Sequence, residues 1–389
     1  MRKLLVSLLL LSGSILQCAW AQNADFVRGA DVSWCTEMEA AGKRFYDAQG
    51  SETELMALMH QIGMTAVRLR VWVNPEQAYG AWSDKADVLA KARRAHAAGL
   101  EVMIDFHYSD FFADPGRQTK PAAWASYTAE QLKNAVAGHT KEVLQALKAE
   151  GIEPRWVQVG NETRPGMIFD EGKIDWSKSG AAAWAGYVAL SNAGYDAVKA
   201  VLPQAQVIVH IDKGPDDNAW FFRDFKKYGG KFDMIGLSHY PESAWQNENS
   251  KTAANAQSLA TQFAVPVMIV ETGYACTNEA LAGQVMADFM AKAKAAKGCA
   301  GVFYWEPEVY GWWKPSYYNK VGWNAYNKGA FTSQGRPAPA LDAFAGDGTK
   351  VQAPSTNSAK DRNTYDLSGR RASSPARGIL VTNGRKVIR

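Results

Sequence analysis

The chain has 389 residues, of which 47% are hydrophobic and 21% charged, and its formal net charge at pH 7 is +4. Subtracting the two positive charges of residues 1–21 and the net seven of residues 350–389 leaves −5 for residues 22–349. A mildly acidic main domain argues against a nucleic-acid partner, for which a basic surface is expected.

Residues 1–21 have the pattern of an export signal. Two basic residues precede the apolar run LLVSLLLLSGSIL (4–16), and AWA (19–21) is a small-x-small cleavage signature, so we predict cleavage before Gln22. Lipidation of Cys18 is the alternative. No other stretch approaches the ~20 apolar residues of a membrane span. We therefore expect an exported protein that is periplasmic, attached to the cell surface or extracellular.

Beyond the signal, apolar β-branched runs alternate with Ala-rich runs whose apolar residues recur near every 3.6 positions, the patterns of strands and helices. The predicted strands cover residues 27–33, 65–72, 100–107, 155–161, 205–211, 232–239, 265–270 and 300–305. The predicted helices cover residues 51–63, 87–99, 129–151, 181–202, 219–229, 252–264 and 279–298, with a less regular eighth over 338–345.

This alternation predicts an α/β fold for residues 22–346. Strands that are apolar along their whole length are typical of parallel strands buried on both faces. Eight βα units over roughly 320 residues match a (β/α)₈ TIM barrel with some long loops. A doubly wound open sheet is the alternative, less favoured because no Gly-rich phosphate loop follows the first strand.

Residues 347–389 differ in composition from the rest. A linker rich in Gly, Pro, Ser, Thr and Asn precedes two strand-like pieces, TYDLSGRR and GILVTNGRKVIR, the second with an Asn-Gly hairpin signal. About 25 residues cannot build a core alone. We predict a linker and a short, basic, β-like C-terminal tail. It resembles the basic C-terminal segments of many secreted Bacteroidetes proteins, where they can serve in sorting or attachment; a frayed tail is the alternative.

Two predicted strands end on glutamates. RWVQVGNET places Asn161 and Glu162 directly after one strand, and VPVMIVETGY places Glu271 after another. Burying a charge without a partner is costly, and barrel active sites lie at the carboxyl ends of the strands. Two facing carboxyls suit glycoside hydrolysis, in which one is a protonated acid and the other an ionised nucleophile. Six tryptophans near strand ends offer flat faces for sugar rings: Trp34, Trp72, Trp124, Trp305, Trp312 and Trp313.

GNE at one strand end and Glu at another resemble the clan of retaining β-glycosidases built on this barrel. More specific stretches, in order along residues 26–345, resemble family 53 glycoside hydrolases, the endo-β-1,4-galactanases: GADVSW, RLRVWVNP, LEVMIDFHYSDFFADPGRQTKPAAW, WVQVGNET, FDMIGLSHYP, VETGY and YWEP. The resemblance implies an enzyme of polysaccharide degradation, acting on the galactan side chains of pectic arabinogalactan.

The same resemblance implies a role for individual residues. Glu162 would be the general acid/base and Glu271 the nucleophile, with their carboxyls ~5–5.5 Å apart in a retaining enzyme. Asn161 would bind the sugar 2-hydroxyl, and Arg70 and Tyr240 would hold Glu271 ionised. The remaining implied substrate-binding residues are His107, Asp110, His210 and Asp212 along the subsites and Trp305 beneath the reacting ring.

Several polar residues have open interpretations. We place Arg68 out of phase with the inward-facing set and so expect a structural role for it. Asp105 lies inside its strand and is interpreted as the partner of a buried arginine. His239 either contacts sugar or is a buried, hydrogen-bonded histidine. Glu306 and Glu308 are either ligands or loop charges.

We predict no metal and no cofactor. Bacterial members of the family often bind calcium in the loop after strand eight, but here that loop (306–331) is aromatic and lacks clustered oxygen ligands, so we interpret it as added sugar-stacking surface. Signal cleavage leaves three cysteines, of which Cys276 and Cys299 are predicted at opposite barrel ends. A Cys35–Cys276 bridge is our hypothesis.

The expected partner is a polysaccharide, with no nucleic acid and a monomeric protein. Two rival functions stay open: a retaining glycosidase of the same clan acting on another β-1,4-glycan such as mannan or cellulose, and a carbohydrate-binding barrel without catalysis. The second rival is disfavoured because both carboxylates are present.

Overall fold

The computed structural model describes residues 26–75, 81–346, 364–366, 379–382 and 385–388. The predicted export signal, its cleavage site, Cys18 and the predicted linker lie outside these residues. Within them we find no helix with the length and hydrophobicity that a membrane span requires.

Eight parallel strands form a closed barrel in chain order, and the last pairs with the first. This confirms the predicted TIM barrel and excludes the open sheet. The strands are β1 (Val27–Asp31), β2 (Ala66–Val71), β3 (Glu101–Phe106), β4 (Trp156–Val159), β5 (Gln206–Ile211), β6 (Met234–His239), β7 (Val267–Thr272) and β8 (Cys299–Trp305). Strand β7 continues beyond its predicted end at residue 270, so Glu271 lies within the strand, where its pairing with β6 and β8 shifts register.

Helices cover the outside of the barrel. They are α1 (Cys35–Ala40), α2 (Leu55–Ile62), α3 (Lys85–Ala97), α4 (Ala129–Ala149), α5 (Ala181–Val201), α6 (Ala219–Lys227), α7 (Trp245–Phe263), α8 (Glu279–Ala295) and α9 (Tyr318–Val321). Helix α7 begins before its predicted start at residue 252. The first turns are polar, so they lack the apolar periodicity on which the prediction depended. The less regular eighth helix is a 3₁₀ helix, Pro339–Phe344.

The barrel interior contains an apolar layer below the carboxyl ends of the strands. Its members are Val27, Ala66, Met103, Trp156, Ile208, Met234, Met268, Val270 and Phe303, and all are buried. Successive side chains of a strand alternate between faces, so residues two positions further along also point inward. On β2, β3, β4 and β5 these are Arg68, Asp105, Gln158 and His210, which form a buried polar layer above the apolar one.

A three-stranded antiparallel sheet lies near the C-terminus, made of β9 (Thr364–Asp366), β10 (Ile379–Thr382) and β11 (Arg385–Ile388), with β10 in the centre. Thr382 pairs with Arg385 across the Asn-Gly dipeptide, as the hairpin signal predicts. The chain divides into two units, residues 1–349 and 350–389.

The hypothesis of a Cys35–Cys276 bridge is wrong, because Cys35, Cys276 and Cys299 are all free thiols. Cys35 is buried in the first turn of α1, where its Sγ lies 3.4 Å from the Glu39 carboxylate, and burial raises the pKa of the thiol well above its usual value. We expect thiol titration of unreduced, denatured protein starting at Gln22 to find three reactive groups. A single reactive thiol would show instead that two of the three cysteines form a disulfide.

Candidate active site

The end of β4 is a tight turn that places two polar residues at the open end of the barrel. Gly160 has φ +86°, and a Cβ added there would lie 2.5 Å from the Thr163 side chain, so the turn requires glycine. Glu162 itself has φ +47°, a left-handed conformation that costs a non-glycine residue ~1 kcal/mol or more. Such strain is concentrated at functional positions.

Glu162 and Glu271 have different surroundings. Glu162 Oε1 accepts a hydrogen bond from Ser238 Oγ at 2.6 Å. Burial, and then the neighbouring Glu271 carboxylate, raise the pKa of Glu162 well above its usual value. Burial raises the pKa of Glu271 to about 7, and Arg68 and Tyr240 oppose that rise. Because Arg68 and Tyr240 both stabilise the ionised form of Glu271, a single proton shared by the pair is assigned to Glu162.

Arg68 is the centre of the buried polar layer. Its guanidinium lies 2.6 Å from Asp31, 2.7 Å from Asp105 and 3.0 Å from Glu271. It also donates to the Gln158 side-chain oxygen and to the Asn161 oxygen, both at 2.8 Å. Three carboxylates thus share one fully buried cation, an arrangement in which charge-assisted bonds offset the desolvation of every member.

The predicted roles of Arg68 and Arg70 are corrected by this geometry. Residues two apart on a strand share a face, so Arg68 is in phase with the inward set and contacts the nucleophile candidate directly. Arg70, predicted to hold Glu271, instead pairs with Glu306 and lies 4.6 Å from the Phe112 ring centroid. The other predicted support of Glu271 is present, because Tyr240 donates to its Oε2 at 3.0 Å.

Three predicted substrate-binding residues are joined to the polar layer. His107 Nδ1 accepts from the Ala113 backbone N–H and its Nε2 lies 2.9 Å from Asp105. Asn161 donates to the Ala113 carbonyl at 2.7 Å, which orients its amide. His210 is fully buried, so the prediction that it lines a sugar subsite is wrong: it points inward one layer below the site.

The two predicted aspartates are committed to protein contacts. Asp110 accepts from the backbone N–H groups of Asn74 and Ala122, at 2.9 and 2.8 Å, and so ties together the loops after β2 and β3. Asp212 forms a two-point ion pair with Arg164, at 2.7 and 3.0 Å. This pair borders the Glu162 side of the site, since Asp212 also contributes to raising the pKa of Glu162.

Some of the tryptophans predicted to face sugar rings are buried in the core, and others are exposed at the surface. Trp34, Trp72 and Trp124 are buried, so their prediction as sugar platforms is wrong; Trp34 and Trp72 pack beside the Arg70 guanidinium instead. Trp305 is partly exposed and packs edge-to-face on Tyr326, with ring centroids 4.8 Å apart. In the loop after β8, Trp313 is partly exposed and Trp312 is 64% exposed.

The polar residues with two interpretations are buried in the barrel. Asp105 is the partner of a buried arginine, as predicted. His239 is the buried alternative, held between Asn249 at 2.7 Å and Thr252 at 3.0 Å. Glu306 and Glu308 are both buried, and Glu306 pairs with Arg70. Burial and the Glu306 charge raise the pKa of Glu308 well above its usual value.

Three residues of the polar layer were missed by the sequence analysis: Asp31, Gln158 and Ser238. Each is a polar residue inside an apolar strand, and that signal could have identified them. In the described part of the chain no group of three or more His, Cys, Asp or Glu has the arrangement of a metal site.

Comparison with known proteins gives one consistent family. The profile described as Glycosyl hydrolase family 53 matches residues 27–344. An arabinogalactan endo-beta-1,4-galactanase from Cellvibrio japonicus is 33% identical over 79% of this chain and 86% of its own. The endo-beta-1,4-galactanase of Bacillus subtilis is 32% identical over 79% of this chain and 76% of its own.

Solved structures agree with this match. A fungal beta-1,4-galactanase superimposes with a TM-score of 0.71 and 27% identity, covering 82% of this chain and 98% of its own. The GH53 catalytic domain from Ignisphaera aggregans superimposes with a TM-score of 0.70 and 28% identity, covering 82% and 95%.

Proposed function

The chain belongs to glycosyl hydrolase family 53, and we propose that it is a retaining endo-β-1,4-galactanase that hydrolyses β-1,4-galactan by double displacement. The observation that carries this proposal is the unequal pair of carboxyls at the ends of β4 and β7. Only Glu271 is held by a buried arginine and a tyrosine, whereas burial and the Glu271 charge raise the pKa of Glu162 well above its usual value. The galactanase names of the relatives supply the substrate class.

In the first step, Glu271 would attack the anomeric carbon while Glu162 protonates the departing glycosidic oxygen. The C1–O bond breaks, its electron pair goes to the leaving oxygen, and a covalent galactosyl-enzyme forms. In the second step, Glu162 would deprotonate a water molecule that attacks the same carbon and releases Glu271. Two displacements retain the configuration, and they require carboxyls ~5–5.5 Å apart.

The surrounding residues support these steps. Arg68 and Tyr240 stabilise the ionised Glu271 by charge and hydrogen bonding. Asn161 is fixed by Arg68 and the Ala113 carbonyl, so its amide is oriented in advance for the sugar 2-hydroxyl. Partly exposed Trp305 offers a platform for the reacting ring.

Turnover on linear β-1,4-galactan, with mannan and cellulose measured beside it, tests the proposal. We expect galactan-selective release of oligosaccharides, and chromatography of early products distinguishes internal from terminal cleavage. Preferred turnover of mannan or cellulose would support the first rival function. Binding of galactan without turnover would support the carbohydrate-binding rival.

We also propose that the protein is exported and acts as a monomer on a polysaccharide, with no nucleic-acid partner. The basic and apolar N-terminal sequence supports export, and the net negative charge of residues 22–349 opposes nucleic-acid binding. Cell fractionation and size-exclusion chromatography test these points.

Trp312 is proposed to stack on a galactose ring distant from the cleaved bond. We expect Trp312→Ala to raise KM for galactan by about 5- to 20-fold with little change in kcat, because stacking contributes about 1–2 kcal/mol and is made equally in ground and transition states. Trp176, 61% exposed in the loop after β4, is the matched control for loss of a surface tryptophan. Equal effects of Trp312→Ala and Trp176→Ala would contradict this role.

A further inference from the structure

Ser238, on β6, contacts the proposed general acid but has no place in the mechanism so far. Its Oγ lies 2.6 Å from Glu162 Oε1 on one side and 2.8 Å from His210 Nε2 on the other. The serine is 3% exposed and the histidine fully buried, so neither bond competes with bulk water. The groups that contact the other ring nitrogen of His210 determine the direction of both hydrogen bonds.

Gln158 fixes the tautomer of His210. The Gln158 oxygen accepts from Arg68 Nε at 2.8 Å, and its amide nitrogen donates to Asp105 at 2.9 Å, so its orientation is unambiguous. That same nitrogen lies 3.0 Å from His210 Nδ1, and the Glu162 backbone N–H lies 3.3 Å from it. Nδ1 thus faces two N–H donors and one acceptor, the Asn161 oxygen 3.0 Å away, which Arg68 also binds. We assign Nδ1 as an acceptor, because this form satisfies both donors.

His210 therefore carries its single proton on Nε2. Burial, and then the Arg68 charge, lower the pKa of His210 well below its usual value, so the ring is neutral. Nε2–H donates to Ser238 Oγ, and the serine hydroxyl must then donate onward to Glu162 Oε1. An ordered chain of donors thus runs from Arg68 through Gln158, His210 and Ser238 to Glu162.

We propose that Ser238 is a positioning residue for the general acid, whose hydroxyl occupies Glu162 Oε1 and confines the transferable proton to Oε2. The described residues offer Oε2 no hydrogen-bond partner, so it is the oxygen free to meet the glycosidic oxygen. The proton passes from Oε2 to that oxygen as the C1–O bond breaks, and Ser238 then stabilises the carboxylate left behind. This inference rests on the proposed function and assigns a further residue to it.

The charge state of Glu162 depends on groups from several elements, which a test must leave in place. They are Glu271 on β7, Tyr240 after β6, Asp212 after β5, Asp114 after β3, His210 on β5 and Arg164 in its own loop. Ser238→Ala removes only one hydroxyl among them. Ser238→Cys keeps the shape with a weaker donor, and Ser191→Ala, which removes a buried hydroxyl on α5, is the matched control.

Two substrates separate positioning from general structural damage. Galactan needs acid assistance at its leaving oxygen, whereas a 2,4-dinitrophenyl β-galactobioside does not. We expect Ser238→Ala to lower kcat/KM for galactan about 10-fold and for the aryl substrate by less than about 2-fold. The basic limb of the pH profile should move up by about 0.5–1 unit, since the carboxylate loses a donor. The kcat/KM of Ser238→Cys on galactan should lie between the values for the wild type and Ser238→Ala, and Ser191→Ala should match the wild type.

A titration that does not need turnover separates this inference from the proposed function. Carbon-13 NMR of labelled glutamate carboxyls, assigned with Glu162→Gln, should show a raised Glu162 pKa in Ser238→Ala. An unchanged or lowered pKa, or equal losses on both substrates, would overturn the positioning role. If the wild type is inactive on galactan but Ser238→Ala still raises the pKa of Glu162, only the galactanase function is refuted.

Discussion

Glu271→Ala is expected to lower kcat on β-1,4-galactan by about 10⁴-fold or more, because no covalent intermediate can form without the carboxylate. Glu162→Ala should lower it by about 10²–10⁴-fold, the usual contribution of general acid–base catalysis. The two losses differ in kind as well as size. With a dinitrophenyl galactoside, Glu162→Ala should keep its glycosylation step, since that leaving group needs no proton, whereas Glu271→Ala should stay inactive.

Azide identifies the two roles by product stereochemistry. In Glu162→Ala, azide can replace the water that the missing base no longer activates, and attack on the galactosyl-enzyme gives a β-galactosyl azide. In Glu271→Ala, azide enters the cavity left by the nucleophile and gives the α product. The reverse assignment of products would show that the two roles are exchanged.

Glu37→Gln is the matched control for removing a buried carboxyl near this end of the barrel. Burial raises the pKa of Glu37 to about 8, so the side chain is mostly protonated at neutral pH and resembles the neutral amide. It lies 3.3 Å from the Tyr317 hydroxyl. We expect near wild-type turnover at pH 7; a loss comparable to Glu162→Ala would mean that acid removal in general disturbs the barrel.

The barrel and its two glutamates could be predicted from the sequence because both depend on local patterns. Strand and helix periods, and strand ends that stop on charged residues, are properties of short segments. The eight strand positions were accordingly close to those observed, and Glu162 and Glu271 do lie at the carboxyl ends of β4 and β7. The shift of register around Glu271 depends on pairing with two other strands, and no short segment contains that information.

The incorrect predictions concern which side chains contact each other, not where the strands and helices lie along the chain. Arg68 and Arg70 both point into the barrel, and the sequence does not say which carboxylate each guanidinium contacts. In the structure Arg68 reaches Asp105, whereas Arg70 reaches Glu306. Tryptophans near strand ends were assumed to be exposed, yet α1 and the loop after β8 cover Trp34, which packs against Trp313 and Tyr318. Long loops decide burial, and their paths are not periodic.

Because Arg68 contacts Glu271 and Arg70 contacts Glu306, Arg68→Lys and Arg70→Lys should have different effects. Lysine keeps the charge but offers one ammonium in place of a planar guanidinium. At position 68 it cannot meet Asp31, Asp105 and Glu271 while also donating to Gln158 and Asn161. Losing two charge-assisted bonds in a buried network should lower the free energy of unfolding by about 3 kcal/mol or more.

The effect on catalysis should follow the contact with Glu271. Arg68 favours the ionised form of that carboxyl, so a weaker contact raises the pKa of Glu271 and moves the acidic limb of the kcat/KM profile to higher pH. We expect Arg68→Lys to lower kcat/KM at pH 7 by about 10²-fold, the combined result of a less ionised and less well-oriented nucleophile.

Arg70→Lys provides the comparison, because it also weakens a buried ion pair but leaves the surroundings of Glu271 intact. The acidic limb of the kcat/KM profile of Arg70→Lys should coincide with that of the wild type even if the melting temperature of the variant falls. Measuring pH profiles of both variants well below their melting temperatures separates stability from ionisation. If Arg70→Lys moved the acidic limb and Arg68→Lys did not, Arg70 would be the residue that keeps the nucleophile ionised in solution. If only Arg68→Lys moves it, one buried guanidinium both joins the strands of the polar layer and sets the charge of the reacting carboxylate.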